Sequence, residues 1–216
     1  MTRAGAPTAA EVRALARRDP ALGAALRRLP RFPGFPQGAE RPADSHFHAL
    51  ARAVVYQMLS GRAAATIHAR VHALTPGSRF ATPKQMLAIE QDQLRAAGLS
   101  RAKAAALHDL AERSLDGRLP LRSIARRPDD DVVAAIAEVR GIGPWTAQMF
   151  LIFRLGRLDV MPSTDLGVQE GLRRLDGLAE RPTPRELAAR AEIWAPLRSV
   201  ASWVLWRLAD EAPAEV

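Results

Sequence analysis

Apolar residues recur along this chain at helical spacing rather than in alternation. Val132, Ile136 and Val139 fall at i, i+4 and i+7, and Leu107, Leu110 and Ala111 share one face. Phe47, Leu50, Ala51, Val54, Val55 and Met58 form a longer stripe that ends at Leu59-Ser60-Gly61. Helix starts are signalled by capping boxes at Thr8-x-x-Glu11, Thr82-Pro83-x-Gln85 and Thr183-Pro184-Arg185-Glu186, and by Asp44 and Ser60 at N-cap positions. Stops are signalled by Pro30 after Leu22, Leu26 and Leu29, by Gly98 after Leu94, and by Pro196 before the last helix. No segment alternates as a strand does and none repeats in tandem, so the pattern predicts an all-α fold of about ten helices. Between residues 31 and 43, five prolines and glycines make an irregular strap, whose Phe32 and Phe35 are expected to pack on the core.

One stretch interrupts the helical pattern with chemistry. Asp129, Asp130 and Asp131 follow Pro128 as N-cap oxygens for a short helix, which runs into Gly141-Ile142-Gly143. Both glycines permit positive φ, and Pro144 suits the first turn of a helix expected over 145–155 and stopped by Gly156. Two helices joined in this way leave backbone N–H groups at a positive helix end, a phosphate site that needs no side-chain charge. One helix later a lone acidic residue, Asp165, precedes a helix over 166–175, where it serves as an N-cap and is thereby held rigidly.

Composition narrows the partners. With 216 residues, 48% of them hydrophobic, the chain can bury a substantial core as one large or two intimately joined domains. Thirty-one Lys and Arg against 23 Asp and Glu give a formal charge of +8. Nearly all of the excess is arginine, which points to nucleic acid, although an Ala- and Arg-rich composition also arises from genome bias. The absence of cysteine excludes disulfides, cysteine-ligated zinc, iron–sulfur clusters and thiol catalysis. His68 and His72 lie one turn apart without a third ligand and are expected to be a surface pair. No apolar run reaches the roughly 20 residues of a membrane span and the N-terminus shows no signal-peptide core, so a soluble cytoplasmic protein is expected. Three tryptophans fall between positions 194 and 206 of a chain that is only 5% aromatic.

The string Val139-x-Gly141-Ile142-Gly143-x-x-Thr146-Ala147, with Pro162-x-x-Asp165 some twenty residues on, resembles the helix-hairpin-helix and Gly/Pro-Asp signature of DNA repair glycosylases. Over about 44–208 the chain resembles the DNA-3-methyladenine glycosylase II type, the alkylation-repair branch of that superfamily. Further matching segments are Tyr56-Gln57-Met58-Leu59-Ser60, similar to a turn that enters the DNA minor groove, Gly98-Leu99-Ser100-Arg101-x-Lys103, and a close from Trp194 through Pro196, Arg198, Ser199 and Ala201. Methionine departs from the glutamine usual at position 58, leaving Met58 either a wedge that fills the place of an extruded base or a core residue. Arg101 and Lys103 are phosphate contacts or a solvated basic edge.

The resemblance implies two closely packed helical subdomains with the active-site cleft between them and no N-terminal β-domain. The single unit 1–216 would then divide into N-terminal helices and strap (1–43), a helical subdomain (44–130), the hairpin with the catalytic aspartate (131–175) and C-terminal helices (176–216). It implies a monofunctional hydrolase that flips an alkylated base, such as 3-methyladenine or 7-methylguanine, from double-stranded DNA and cleaves its N-glycosidic bond. Asp165 would be catalytic; Trp145, Met149, Leu166 and Trp206 would line the base pocket; Gln57, Met58, Gly141, Gly143 and Thr146 would contact DNA. Trp145 stands where bifunctional members carry a Schiff-base lysine, so no lyase step is expected. The main-chain carbonyls of Ala137, Val139 and Ile142 would hold a structural Na+ or K+, with no cofactor needed for the chemistry. A monomer is implied, nucleoid-associated when bound to DNA and without membrane contact. The alternatives are a bifunctional glycosylase/lyase and a non-catalytic helix-hairpin-helix DNA-binding module.

Overall fold

The structure, a computed structural model, describes residues 5–35 and 45–211. Among the described residues there are twelve α-helices and no strand. In chain order these are α1 (Ala9–Arg18), α2 (Pro20–Arg28), α3 (His46–Tyr56), α4 (Gly61–His72), α5 (Pro83–Ala88) and α6 (Gln91–Ala96). There follow α7 (Arg101–Asp116), α8 (Asp129–Ala137), α9 (Pro144–Met149), α10 (Leu166–Asp176), α11 (Pro184–Arg190) and α12 (Arg198–Asp210). All three expected capping boxes form, each with the Thr hydroxyl taking the N3 amide and the N3 side chain returning to the cap N–H. The cap of α3 is Ser45, whose hydroxyl accepts from the amide of His48; Asp44, expected in that role, lies outside the described residues. Pro128 occupies the N-cap of α8, so the three aspartates fill its first turn and face the positive helix end instead of capping it.

The chain forms two compact units, one of residues Gly38–Phe150, the other of Thr2–Gln37 with Leu151–Val216. The boundary between them falls inside the segment 131–175, which carries the hairpin and Asp165. In the first unit α7 is the spine: α3, α5 and α6 pack on it, and Ala104, Leu107, Leu110 and Ala111 are fully buried. Complete burial of each such leucine contributes about 1.5–3 kcal/mol. The histidines expected to form a surface pair are half-buried: His68 bonds to His48 at 2.9 Å, and both rings stack on Phe80.

The second unit is built on the contact of α10 with α12. A Cβ at Gly171 would lie 2.1 Å from the carbonyl oxygen of Leu205, so glycine lets the two backbones touch. Trp194 is fully buried as expected, its indole N–H donating to Asp19 at 2.7 Å. Phe32 meets Trp203 and Phe35 meets Phe153 edge-on, so the described part of the strap does pack on this core. Between α9 and this unit the backbone departs from the expected single helix 145–155. The α-helix ends at Met149 and a π-helical turn, Phe150–Arg154, follows, closed by Gly156 at φ +67°.

Candidate functional site

Asp165 is fixed from both sides along the chain. Its amide donates to the Pro162 carbonyl at 2.9 Å, and its Oδ1 accepts the Val168 amide at 2.9 Å as the N-cap of α10. The same Oδ1 accepts the indole N–H of Trp206, on α12, at 2.9 Å. Gly167 makes room for this pairing: a Cβ there would lie 3.1 Å from the Trp206 Cδ1 and 3.2 Å from Asp165 Oδ1. The Trp206 ring in turn stacks on Phe153, with centroids 5.5 Å apart. A carboxylate with one oxygen held by two N–H donors has a defined orientation.

The loop leading to Asp165 is bound to the start of α12. Asp159 accepts the Arg198 guanidinium through both oxygens at 2.8 Å, and Ser199 accepts the amide of Val160 at 2.9 Å while donating its own amide to Leu158. Gln169, nearly buried, donates its side-chain amide to the Ser163 carbonyl. The Arg-Ser pair at 198–199, noted in the sequence only as part of a match, therefore tethers the strand of chain that delivers the aspartate. Leu166, next to it, is 63% exposed, high for a leucine. Phe153, Gly167 and Asp159 were not singled out by sequence; the Gly167-x-x-x-Gly171 spacing, which marks a helix face open to close approach, is a signal that could have found part of this arrangement and was not read.

In the first unit the hairpin joins α8 to α9. Gly141 has φ +72°, as expected, whereas Gly143 is extended at φ −98° and serves as the N-cap of α9. Nothing lies within 4 Å of where a Gly143 Cβ would be, so its surroundings are open. Thr146, expected to contact DNA, is buried. Trp145 is 44% exposed on α9, with half-buried Met149 one turn further on. Of the carbonyls at Ala137, Val139 and Ile142, that of Val139 accepts the Ile142 amide at 3.0 Å.

Met58 lies beyond the end of α3, in the left-handed region at φ +54°, and is wholly exposed. This corrects its place in the helical stripe and excludes the core reading. An exposed methionine gains nothing from burial, and a non-glycine residue at this φ is strained. Gln57 donates its side-chain amide to the Gly141 carbonyl at 3.1 Å, tying the turn to the hairpin. Lys103 is half-buried rather than on a solvated edge. Its Nζ donates to the carbonyls of Val55 and Gln57, and burial pushes its pKa below the ordinary lysine value. Arg101 is exposed. Among the described residues no group of three or more His, Cys, Asp or Glu is placed to hold a metal ion, and no helix is long and apolar enough to cross a membrane.

Comparison with known proteins bears on this geometry. Residues 51–196 match the family model described as the HhH-GPD superfamily base excision DNA repair protein. DNA-3-methyladenine glycosylase 1 of Schizosaccharomyces pombe is 35% identical over 162 residues, covering 74% of this chain and 71% of the relative. The structure of a 3-methyladenine DNA glycosylase from the same organism in complex with abasic DNA superposes with a TM-score of 0.78 at 30% identity, covering 94% of this chain and 98% of that one. A DNA-3-methyladenine glycosidase from Bacillus halodurans gives a TM-score of 0.83 at 30% identity over 93% of this chain and 89% of its own.

Proposed function

The chain belongs to the HhH-GPD superfamily of base excision DNA repair proteins, and from that premise we propose that it excises alkylated bases from double-stranded DNA without cutting the strand. It is a DNA-binding N-glycosylase of the 3-methyladenine type, a hydrolase. The observation that carries the finer reading is Asp165, held with one oxygen between the Val168 amide and the Trp206 indole at the head of α10.

A base alkylated at N3 or N7 is cationic, so its glycosidic bond is already weakened and the enzyme needs little general-acid help. Asp165, ionised, stabilises the oxocarbenium character that develops on the sugar and orients or deprotonates the attacking water. Trp206 offers a π face to the cationic base, worth about 0.5–2 kcal/mol, and Leu166 beside Asp165 supplies apolar lining; on α9, Trp145 and Met149 present an aromatic face and an apolar side chain of the same kinds. Backbone amides at the Gly141–Gly143 turn take a phosphate, and Met58 enters the stack in place of the extruded base. The Ala137, Val139 and Ile142 carbonyls are neutral hard oxygens that suit Na+ or K+, and the one hydrogen bond at Val139 leaves that oxygen a second lone pair. Such an ion would brace the turn; the chemistry passes through Asp165. The protein acts as a monomer.

The test is release of free 7-methylguanine and 3-methyladenine from a duplex, with borohydride added during turnover. Base release without a trapped protein–DNA adduct is expected, because Trp145 supplies no amine. A trapped adduct would move the chain to the lyase class, and DNA binding without base release would make it a binding module.

A further inference from the structure

Helix α7 carries three polar or close contacts on one face, at Lys103, Ala106 and Asp109, spaced i, i+3 and i+6. Lys103 donates to the carbonyls of Val55 at 2.8 Å and Gln57 at 2.6 Å, where α3 gives way to the Met58 turn. Ala106 lies beneath the hairpin, 3.6 Å from where a Gly141 Cβ would be. Asp109 accepts the amide of Arg140, the residue before Gly141, at 2.7 Å, and is itself paired with Arg113, which also reaches Glu138. The turn and the hairpin are further joined by the Gln57 amide on the Gly141 carbonyl.

We infer that this face of α7 is a brace that holds the Met58 turn and the hairpin in one fixed register, with Lys103 as the positioning residue for Met58. The inference rests on the proposed role of Met58 as the residue that enters the base stack. Left-handed φ at a fully exposed methionine is strained, and locally the turn is closed by a long bond, the Leu59 amide on the Tyr56 carbonyl at 3.4 Å. The charge of Lys103, engaged by two carbonyls at the C-terminal end of α3, lies where it favours the negative helix end and adds two shorter bonds to the turn's own. An ammonium so engaged is withdrawn from phosphate, and the duplex meets a preformed probe rather than a loop that must order on binding.

Phosphate contact and positioning differ in their salt dependence. Loss of a phosphate contact lowers the slope of log K against log salt by about 0.9, whereas loss of a positioning contact leaves it unchanged. The experiment measures single-turnover excision of 7-methylguanine and salt-dependent binding to undamaged duplex for Lys103→Met, Met58→Ala and the double variant. Lys103→Met is expected to slow excision roughly tenfold with the salt slope retained, and to cause no further loss when combined with Met58→Ala. Gln57→Leu, which removes the tie to Gly141 but keeps Lys103, is expected to show the same dependence on Met58 and serves if Lys103→Met does not fold. A slope reduced by about one, or a loss that multiplies with that of Met58→Ala, would overturn the brace alone. Excision unaltered by Met58→Ala would overturn the probe role of Met58, and the brace with it.

Discussion

Asp19 shows how far single residues set the stability of the second unit. It is 3% exposed, and although burial alone raises its pKa, the Leu22 amide, the Trp194 indole and the Arg190 guanidinium together hold it below the ordinary aspartate value. A lowered pKa contributes stability that is complete above the ordinary carboxylate pKa of about 4 and is lost as pH falls through the lower folded value. Asp19→Asn keeps the cap oxygen but breaks a buried pair, so it is expected to cost about 3 kcal/mol at pH 7. That gap should narrow in thermal melts below about pH 4; a constant gap down to pH 2 would remove the ionic account. At Trp206 two roles separate by substitution. Trp206→Phe retains an aromatic face and removes the bond to Asp165, so excision of 7-methylguanine and of neutral hypoxanthine should fall by similar factors. Trp206→Ala should cost the cationic base a further two- to thirtyfold, roughly the value of a cation–π contact. Equal losses for both bases with Ala would refute the π-face role. Asp165 was legible in the sequence because a cap position and a family spacing coincide there; its bond to Trp206, 41 residues on, was not, since no local signal encodes it.

At the scale of elements, capping chemistry was the most legible feature. Thr8, Thr82 and Thr183 each start a helix with the N3 partner that the sequence offers, because the boxes are closed within four residues. Where tertiary contact decides, local reading failed. The end of α3 was placed too late because Met58 fits the apolar period, while Lys103 and Gln57 hold the chain in a turn at that point. The π-helical turn after α9 was equally hidden, since Phe150–Arg154 has the composition of an ordinary buried helix. Glycines divide by the same measure. Gly171→Ala would drive a methyl into the Leu205 backbone and is expected to destabilise the protein by about 3 kcal/mol as α10 and α12 are forced apart, read as a sharply lowered melting temperature. Gly143→Ala has open space and should melt like the wild type while weakening binding to damaged and undamaged duplexes alike. Selective loss of lesion binding in Gly143→Ala would place that residue in recognition instead of phosphate contact.

For the whole molecule, the all-helical class followed from periodicity alone, but the division of the chain did not. A first unit of Gly38–Phe150 and a second that gathers Thr2–Gln37 with Leu151–Val216 depend on contacts distant in sequence, such as Asp19 with Arg190 and Trp194. The formal charge of +8 suits a polyanion but names no chemistry. Chemistry enters with the carboxylate, and the account stands on its charge. Asp165→Asn preserves a side-chain oxygen for the Val168 amide and the Trp206 indole, and asparagine caps helices as well as aspartate does, so the fold and the DNA-binding surface should survive. The decisive measurement is single-turnover excision of 7-methylguanine by Asp165→Asn at saturating protein, alongside its affinity for the same duplex. Affinity within about threefold of wild type with excision slowed by roughly 10²- to 10³-fold, the usual cost of one transition-state electrostatic contact, is the predicted result. Excision at the wild-type rate by a folded, DNA-bound Asp165→Asn protein would contradict it.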